Sequence, residues 1–159
     1  MNPLLKELLP DLAILGGLSK SELEKVSALL TWHCFEAGEL IARQGDIGSE
    51  MYIVGEGACE VCHVFDTPHE SFTLARIGPG QCVGEMALIE IQPRSATLRA
   101  VTDVGLFVLS NENFMKLHSW SVDAYAMVVL NLARELSRRL RAANRVITGC
   151  VEVAGHVGK

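Results

Sequence analysis

The chain reads as a mainly β protein, a small antiparallel roll or jelly-roll barrel held between flanking helices. Three features of the sequence predict this. Between Trp32 and Ser110, about seven or eight short runs of branched and aromatic residues are separated by the turn signals "EAGE", "QGDIGS", "GEG", "DTPHE", "GPG" and "TDVG". Ahead of them, "SKSE" at Ser19–Glu22 has capping-box spacing, and Leu23, Val26, Leu29 and Leu30 then recur at helical intervals. Behind them, Tyr125, Val129, Leu132, Leu136, Leu140, Ala143 and Ile147 recur at threes and fours, the stripe of a long helix.

Four segments follow from this pattern. Residues 1–31 form a helical lead and residues 32–110 the roll. Residues 111–147 form a short helix, Asn111 to His118, capped by Ser110 and carrying Phe114 and Leu117, and then the long helix from Val122 to Ile147. Residues 148–159, "TGCVEVAGHVGK", carry no strong pattern and read as a flexible tail.

With 159 residues, 49% of them hydrophobic and 21% charged, the chain has the makings of one globular domain with a real core. The longest apolar stretch, Ala124 to Ala133, is broken by Asn131 and is too short to span a bilayer. The start "MNPLLKELLP" lacks the basic and apolar regions of a signal peptide, so a cytoplasmic protein without a membrane partner is expected. Five irregularly placed cysteines fit reduced thiols better than a disulfide framework. Residues 1–119 hold 8 Lys/Arg against 16 Asp/Glu, whereas residues 120–147 hold 5 Arg against 2 acids. The basic part is one local face, so no nucleic-acid partner is expected for this chain.

Chemistry concentrates in "GEMALIEIQPRSAT", Gly84 to Thr97. Gly84 permits close backbone approach, Glu85 opens a single short helical turn over Met86 to Ile89, and Pro93 ends it. Arg94 is expected at the start of the strand "RSATLRAV". A guanidinium at an apolar strand start is costly unless an anion meets it, and a phosphate does so with paired, charge-assisted bonds. The turn's leading N–H groups also point outward, and a carboxylate accepts from hydroxyls. Phosphate plus hydroxyl plus an apolar remainder describes a nucleotide. The plainer reading is a structural Glu85–Arg94 salt bridge across a loop.

The segment "IGPGQCVGEMALIEIQPRSATLRAV" resembles the phosphate-binding cassette, here residues 78–97, of the cyclic-nucleotide-binding domain family. That family includes bacterial catabolite activators, regulatory subunits of cAMP-dependent kinase and nucleotide-gated channels. Upstream, "FEAGELIARQGDIGSEMYIVGEGACEV" is similar in its glycine placement at Gly38, Gly45 and Gly57, and the likeness runs from about Leu12 to Ile147. The resemblance implies an eight-stranded antiparallel β-roll, a double-stranded jelly roll, with N-terminal helices and a C-terminal short helix plus long helix. It implies that Glu85 binds the ribose 2′-hydroxyl and Arg94 the cyclic phosphate. Val83, Gly84, Met86, Ala87, Ser95 and Ala96 would complete the site, with backbone N–H groups around Met86 and Ala87 on the phosphate. Val83 departs from the usual Phe before the Gly–Glu pair, and "IEIQ" lacks the glycine many members carry before the proline.

By the same resemblance the long helix is a lid, with Leu136, Arg138, Arg139 or Leu140 covering the purine. In dimers it would pack on its twin through Leu132, Leu136, Leu140 and Ala143. The ligand would be cAMP rather than cGMP, no cofactor or metal is required, and a downstream protein partner is unspecified. Ser95 stands where relatives place Thr with cGMP or Ala with cAMP. The alternatives are the effector half of a catabolite-activator-like transcription regulator lacking its DNA-binding half, and a scaffold that no longer binds nucleotide.

Other motifs have plainer explanations. "CEVCH", Cys59–His63, formally matches a haem-attachment motif but reads as a strand, with Cys59 and Cys62 on opposite faces and unsuited to zinc. His33, His63, His69, His118 and His156 form no close-spaced cluster, and nothing pairs a nucleophile with a base, so no enzyme is expected. Arg134, Arg138, Arg141 and Arg145 form one helical stripe, most simply a solvated face, with Glu135 pairing Arg139.

Overall fold

A capping box opens the second helix as its sequence predicts. Ser19 accepts from the Glu22 amide and Glu22 takes the Ser19 amide in return. The computed structural model describes residues 3–65 and 71–157. The "DTPHE" turn, His69 and the last two tail residues lie outside them. The helical lead comprises α1 (Pro3–Leu8), two 3-10 turns (Leu9–Asp11 and Ala13–Leu15) and α2 (Lys20–Ser27).

Among the described residues eight strands follow: β1 (Thr31–Phe35), β2 (Leu40–Ala42), β3 (Glu50–Glu56), β4 (Cys59–Val64), β5 (Ser71–Ile77), β6 (Cys82–Val83), β7 (Thr97–Ala100) and β8 (Val104–Ser110). They form two four-stranded antiparallel sheets, ordered β1-β8-β3-β6 and β2-β7-β4-β5. The short α3 (Met86–Ile89) lies between β6 and β7. After the roll come α4 (Asn111–Trp120) and α5 (Val122–Val157).

The near-continuous apolar runs of β3 and β8 exist because their sheet is covered on both faces. Alternate residues point opposite ways along a strand. Met51, Ile53, Phe107 and Leu109 therefore face the helices and join Leu9, Ile14, Val26, Phe114, Leu117, Val128 and Leu132 in one cluster. Tyr52, Val54, Leu106 and Val108 face the interior of the roll and meet Cys59, Leu98 and Ala100 in a second. The bulky Trp32 ring lies tilted against Phe107, with centroids 4.5 Å apart, over a glycine shelf. A Cβ on Gly105 would stand 2.0 Å from Trp32 Cζ2, and one on Gly55 would stand 2.6 Å from Cζ3.

Several expectations need correction. Arg94 does not begin a strand, because β7 starts at Thr97. The Arg94 backbone bonds to the Gly45 turn instead: Gly45 N–H donates to Arg94 O at 2.9 Å and Arg94 N–H to Asp46 O at 2.8 Å. Helix α4 runs on to Trp120, and α5 continues past Ile147 to Val157. The buried face of α5 is Ala124, Val128, Asn131 and Leu132, whereas Leu140 and Ile147 are exposed. Leu132, being wholly inside the chain's own core, is no candidate for a dimer surface. Asn131, which looked like an interruption of the apolar stretch, donates to the Ile14 and Gly16 carbonyls and fastens α5 to the second 3-10 turn.

Cys59 and Cys62 are both buried, and a register shift between Val61 and Cys62 breaks the simple alternation assumed for that strand. Among the described residues no His/Cys/Asp/Glu group has metal-binding geometry, and no helix is long and apolar enough to cross a membrane.

Candidate functional site

A cavity of about 700 Å³ opens between the roll, the α3 segment and α5, a volume in the usual range for a small-molecule site. Val83, Gly84, Glu85, Met86, Ala87, Arg94, Ser95 and Ala96 all line it, joined from α5 by Leu136 and Arg139. Arg138 and Leu140 are not among its walls. Arg138 is paired with Glu135 at 2.8 Å, and Leu140 is 64% exposed. Tyr52, Val61, Leu74, Thr97 and Leu98 also line the cavity, and the sequence reading did not single them out.

Glu85 stands immediately before α3, makes no side-chain capping bond to it, and is only 2% exposed. A carboxylate this deep needs partners for both oxygens, because an unpaired buried charge is expensive. One oxygen has a partner: Arg139 Nη1 donates to Glu85 Oε1 at 2.6 Å, while Arg139 Nε reaches Glu135 Oε1 at 3.2 Å. Glu85 Oε2 is buried with no hydrogen-bond partner among the described residues. Burial pushes the neighbouring Cys82 thiol up to about 11, and the Glu85 carboxylate adds to this. Cys82 is therefore an inert thiol at neutral pH.

Arg94 presents the opposite case. Its Nη1 donates to the Glu50 carbonyl at 3.2 Å and its Nη2 to the Tyr52 hydroxyl at 3.1 Å, with Cζ 5.1 Å from the Tyr52 ring centroid. No carboxylate is salt-bridged to Arg94 among the described residues. The Glu85–Arg94 salt bridge that the plainer reading required is thus absent, and Glu85 pairs with Arg139 instead. Glycines shape the slot around the guanidinium. A Cβ on Gly84, whose φ is +81°, would meet Glu50 O at 3.0 Å and Arg94 Nη1 at 3.2 Å, and one on Gly48 would meet Arg94 Cγ at 3.0 Å.

The first amides of α3 are only partly free. Ala87 N–H already donates to Gly84 O at 3.0 Å and Leu88 N–H to Glu85 O at 3.1 Å. The other end of α3 is held from α4, where Asn111 Nδ2 donates to Leu88 O at 3.0 Å. The cavity thus combines an arginine without an acid, a buried acid with one unused oxygen, and apolar walls. That set suits an anionic ligand carrying a hydroxyl and a flat apolar part.

Comparison with known proteins gives the same class. A family model, the cyclic nucleotide-binding domain, matches residues 32–119, and the chain belongs to this family. It is 34% identical over 128 residues to the cyclic AMP receptor protein of Thermus thermophilus, covering 80% of this chain and 57% of the receptor. It is 30% identical over 120 residues to the cAMP-dependent protein kinase regulatory subunit of Schizosaccharomyces pombe, covering 76% of this chain and 28% of that subunit. The crystal structure of the Thermus thermophilus catabolite activator protein superposes with a TM-score of 0.77 at 31% identity, over 86% of this chain and 62% of that one. The chain therefore spans a little over half of the receptor and under a third of the kinase subunit.

Proposed function

We propose that this regulatory domain binds cAMP in preference to cGMP, and that occupancy of the site is transmitted to α5. The observation that carries the reading is Glu85, a buried carboxylate divided between two tasks. Its Oε1 holds Arg139 of α5, its Oε2 is buried without a partner among the described residues, and the residue lines the same cavity as Arg94. A ribose 2′-hydroxyl would give Oε2 the donor it lacks, and the cyclic phosphate would supply Arg94 with an anion. Cyclic nucleotide binding is what the family supports, and the cAMP in the names of both relatives favours adenine as the base.

Because one carboxylate serves ligand and helix, filling Oε2 changes the strength and geometry of the Arg139 contact. Differential affinity of the ligand for two placements of α5 then becomes a switch. Leu140 and Ile147, exposed beyond Arg139, are where a second copy or a downstream protein would read that placement. No catalytic step is assigned to the chain.

Titration calorimetry with cAMP, 2′-deoxy-cAMP and linear AMP tests the assignment. The parent should prefer cAMP to its 2′-deoxy analogue by about tenfold, one hydrogen bond to a charged group, and Glu85→Ala should erase that preference. An equal response to all three nucleotides would refute it. Amide exchange of residues 132–140 should respond to ligand in the parent and lose that response in Arg139→Ala. An unchanged response in that variant removes Arg139 from the switch.

A further inference from the structure

We infer that Tyr52 is a positioning residue for Arg94, the middle member of a relay running from Arg94 through the Tyr52 hydroxyl to Glu50. The inference rests on the reading of Arg94 as the phosphate ligand. Glu50 and Tyr52 stand two apart on β3 and so share one face of the strand. Tyr52 is buried, and its ring joins the core inside the roll while also lining the cavity.

The hydroxyl makes two bonds of fixed direction. It accepts from Arg94 Nη2 at 3.1 Å and donates its only proton to Glu50 Oε2, also at 3.1 Å. Burial, with a smaller contribution from Glu50, pushes the phenol up to about 12, against the lowering effect of Arg94. It therefore remains an O–H donor at any working pH. Arg94 Nη1 is meanwhile fixed to the Glu50 backbone carbonyl at 3.2 Å. Both terminal nitrogens of Arg94 are thus anchored to β3, between Gly48 and Gly84, which leave the side chain a slot.

The relay solves a competition problem. A carboxylate in direct contact would hold an arginine well but would neutralise the charge that a phosphate must meet. Here Glu50 influences the guanidinium through the phenol and stays off it. If the hydroxyl is removed, Glu50 loses its donor and becomes a direct rival for Arg94, while Nη2 loses its anchor. The role of Tyr52 is therefore exercised through the aim and availability of Arg94.

The test compares the parent, Tyr52→Phe, Glu50→Gln and the double variant by calorimetry with cAMP and its two phosphorothioate diastereomers. Melting curves serve as the check that each is folded. Tyr52→Phe should weaken cAMP by about tenfold and narrow the preference between diastereomers, because contacts in one network are coupled. Adding Glu50→Gln should restore affinity to within about threefold of the parent, since the rival carboxylate is gone. A merely structural role for the hydroxyl would lower the melting temperature and show no such rescue.

Tyr52→Phe binding like the parent, or losing the same factor with and without Glu50, would overturn the relay. A parent that gives no signal with any of the three ligands would overturn the phosphate reading on which the relay depends. That outcome is recognised from the parent titration alone.

Discussion

Replacing Arg94 by alanine removes from the cavity wall a guanidinium that has no carboxylate partner among the described residues. In the free protein the change deletes two hydrogen bonds, to Glu50 O and Tyr52 Oη at 3.2 and 3.1 Å. Tyr52 lines the cavity, and stability should fall by only about 1–2 kcal/mol, the net value of two such bonds. Binding should suffer more. An arginine facing a phosphate makes two charge-assisted bonds of about 1.5–3 kcal/mol each. Their loss amounts to about 3–6 kcal/mol, or a factor of about 10² to 10⁴ in Kd at 1.4 kcal/mol per decade. Calorimetric titration of parent and Arg94→Ala with cAMP measures this directly, with denaturant unfolding to confirm that the variant is folded. A Kd within threefold of the parent would refute the assignment of Arg94 to the phosphate.

Gly105→Ala should destabilise the roll by about 1–3 kcal/mol, since the new methyl would overlap the Trp32 ring and force it off its shelf. Thermal unfolding checks this, and a melting temperature equal to the parent's would mean that Trp32 is free to move. Burial raises the thiols of Cys59 and Cys82 to about 11 each. With folded values above the ordinary one, stability should be flat below about pH 9 and fall as the pH rises from there through 11. Alkylation at pH 8, followed by mass spectrometry, should find exposed Cys34 modified first among the four described cysteines, with Cys59 and Cys82 protected.

The roll was legible because turn chemistry and strand length are local. The glycines at positions 38, 45 and 57, all with positive φ, mark turns that a sequence reveals without any knowledge of partners. The carboxylate and guanidinium were legible for another reason: Glu85 and Arg94 are charges inside a largely apolar or small segment, each beside a residue that constrains the backbone, and such charges need an explanation.

What stayed hidden was set by distant contacts. Arg94 reads as a strand start, yet its backbone partners lie in the Gly45 turn, which leaves two residues, Ser95 and Ala96, to cross before β7 begins at Thr97. Glu50 and Tyr52 reach Arg94 from more than forty positions away. Their i,i+2 spacing in "EMY" was the one available signal, a polar-bearing pair on the inner face of an apolar strand. Arg138 and Arg139 are neighbours in sequence but about 100° apart around the helix. The seating of α5, by Asn131 and by the buried Ala124, Val128 and Leu132, decides that Arg139, and not Arg138, meets Glu85. Helix periodicity located the stripe, but it could not say that the stripe's first half is core and its second half surface.

Thermal unfolding of the purified chain with no ligand, with cAMP, with cGMP and with linear AMP tests the central claim most directly. A ligand that binds only the folded state, at about a hundred times its Kd, adds ~2.7 kcal/mol. For a chain of this size that is a rise of roughly 5–10 °C in Tm. The account predicts that rise with cAMP, a smaller one with cGMP and none with AMP. Identical melting curves in all four samples at millimolar nucleotide would contradict it and leave the fold as an interaction scaffold with a silent pocket.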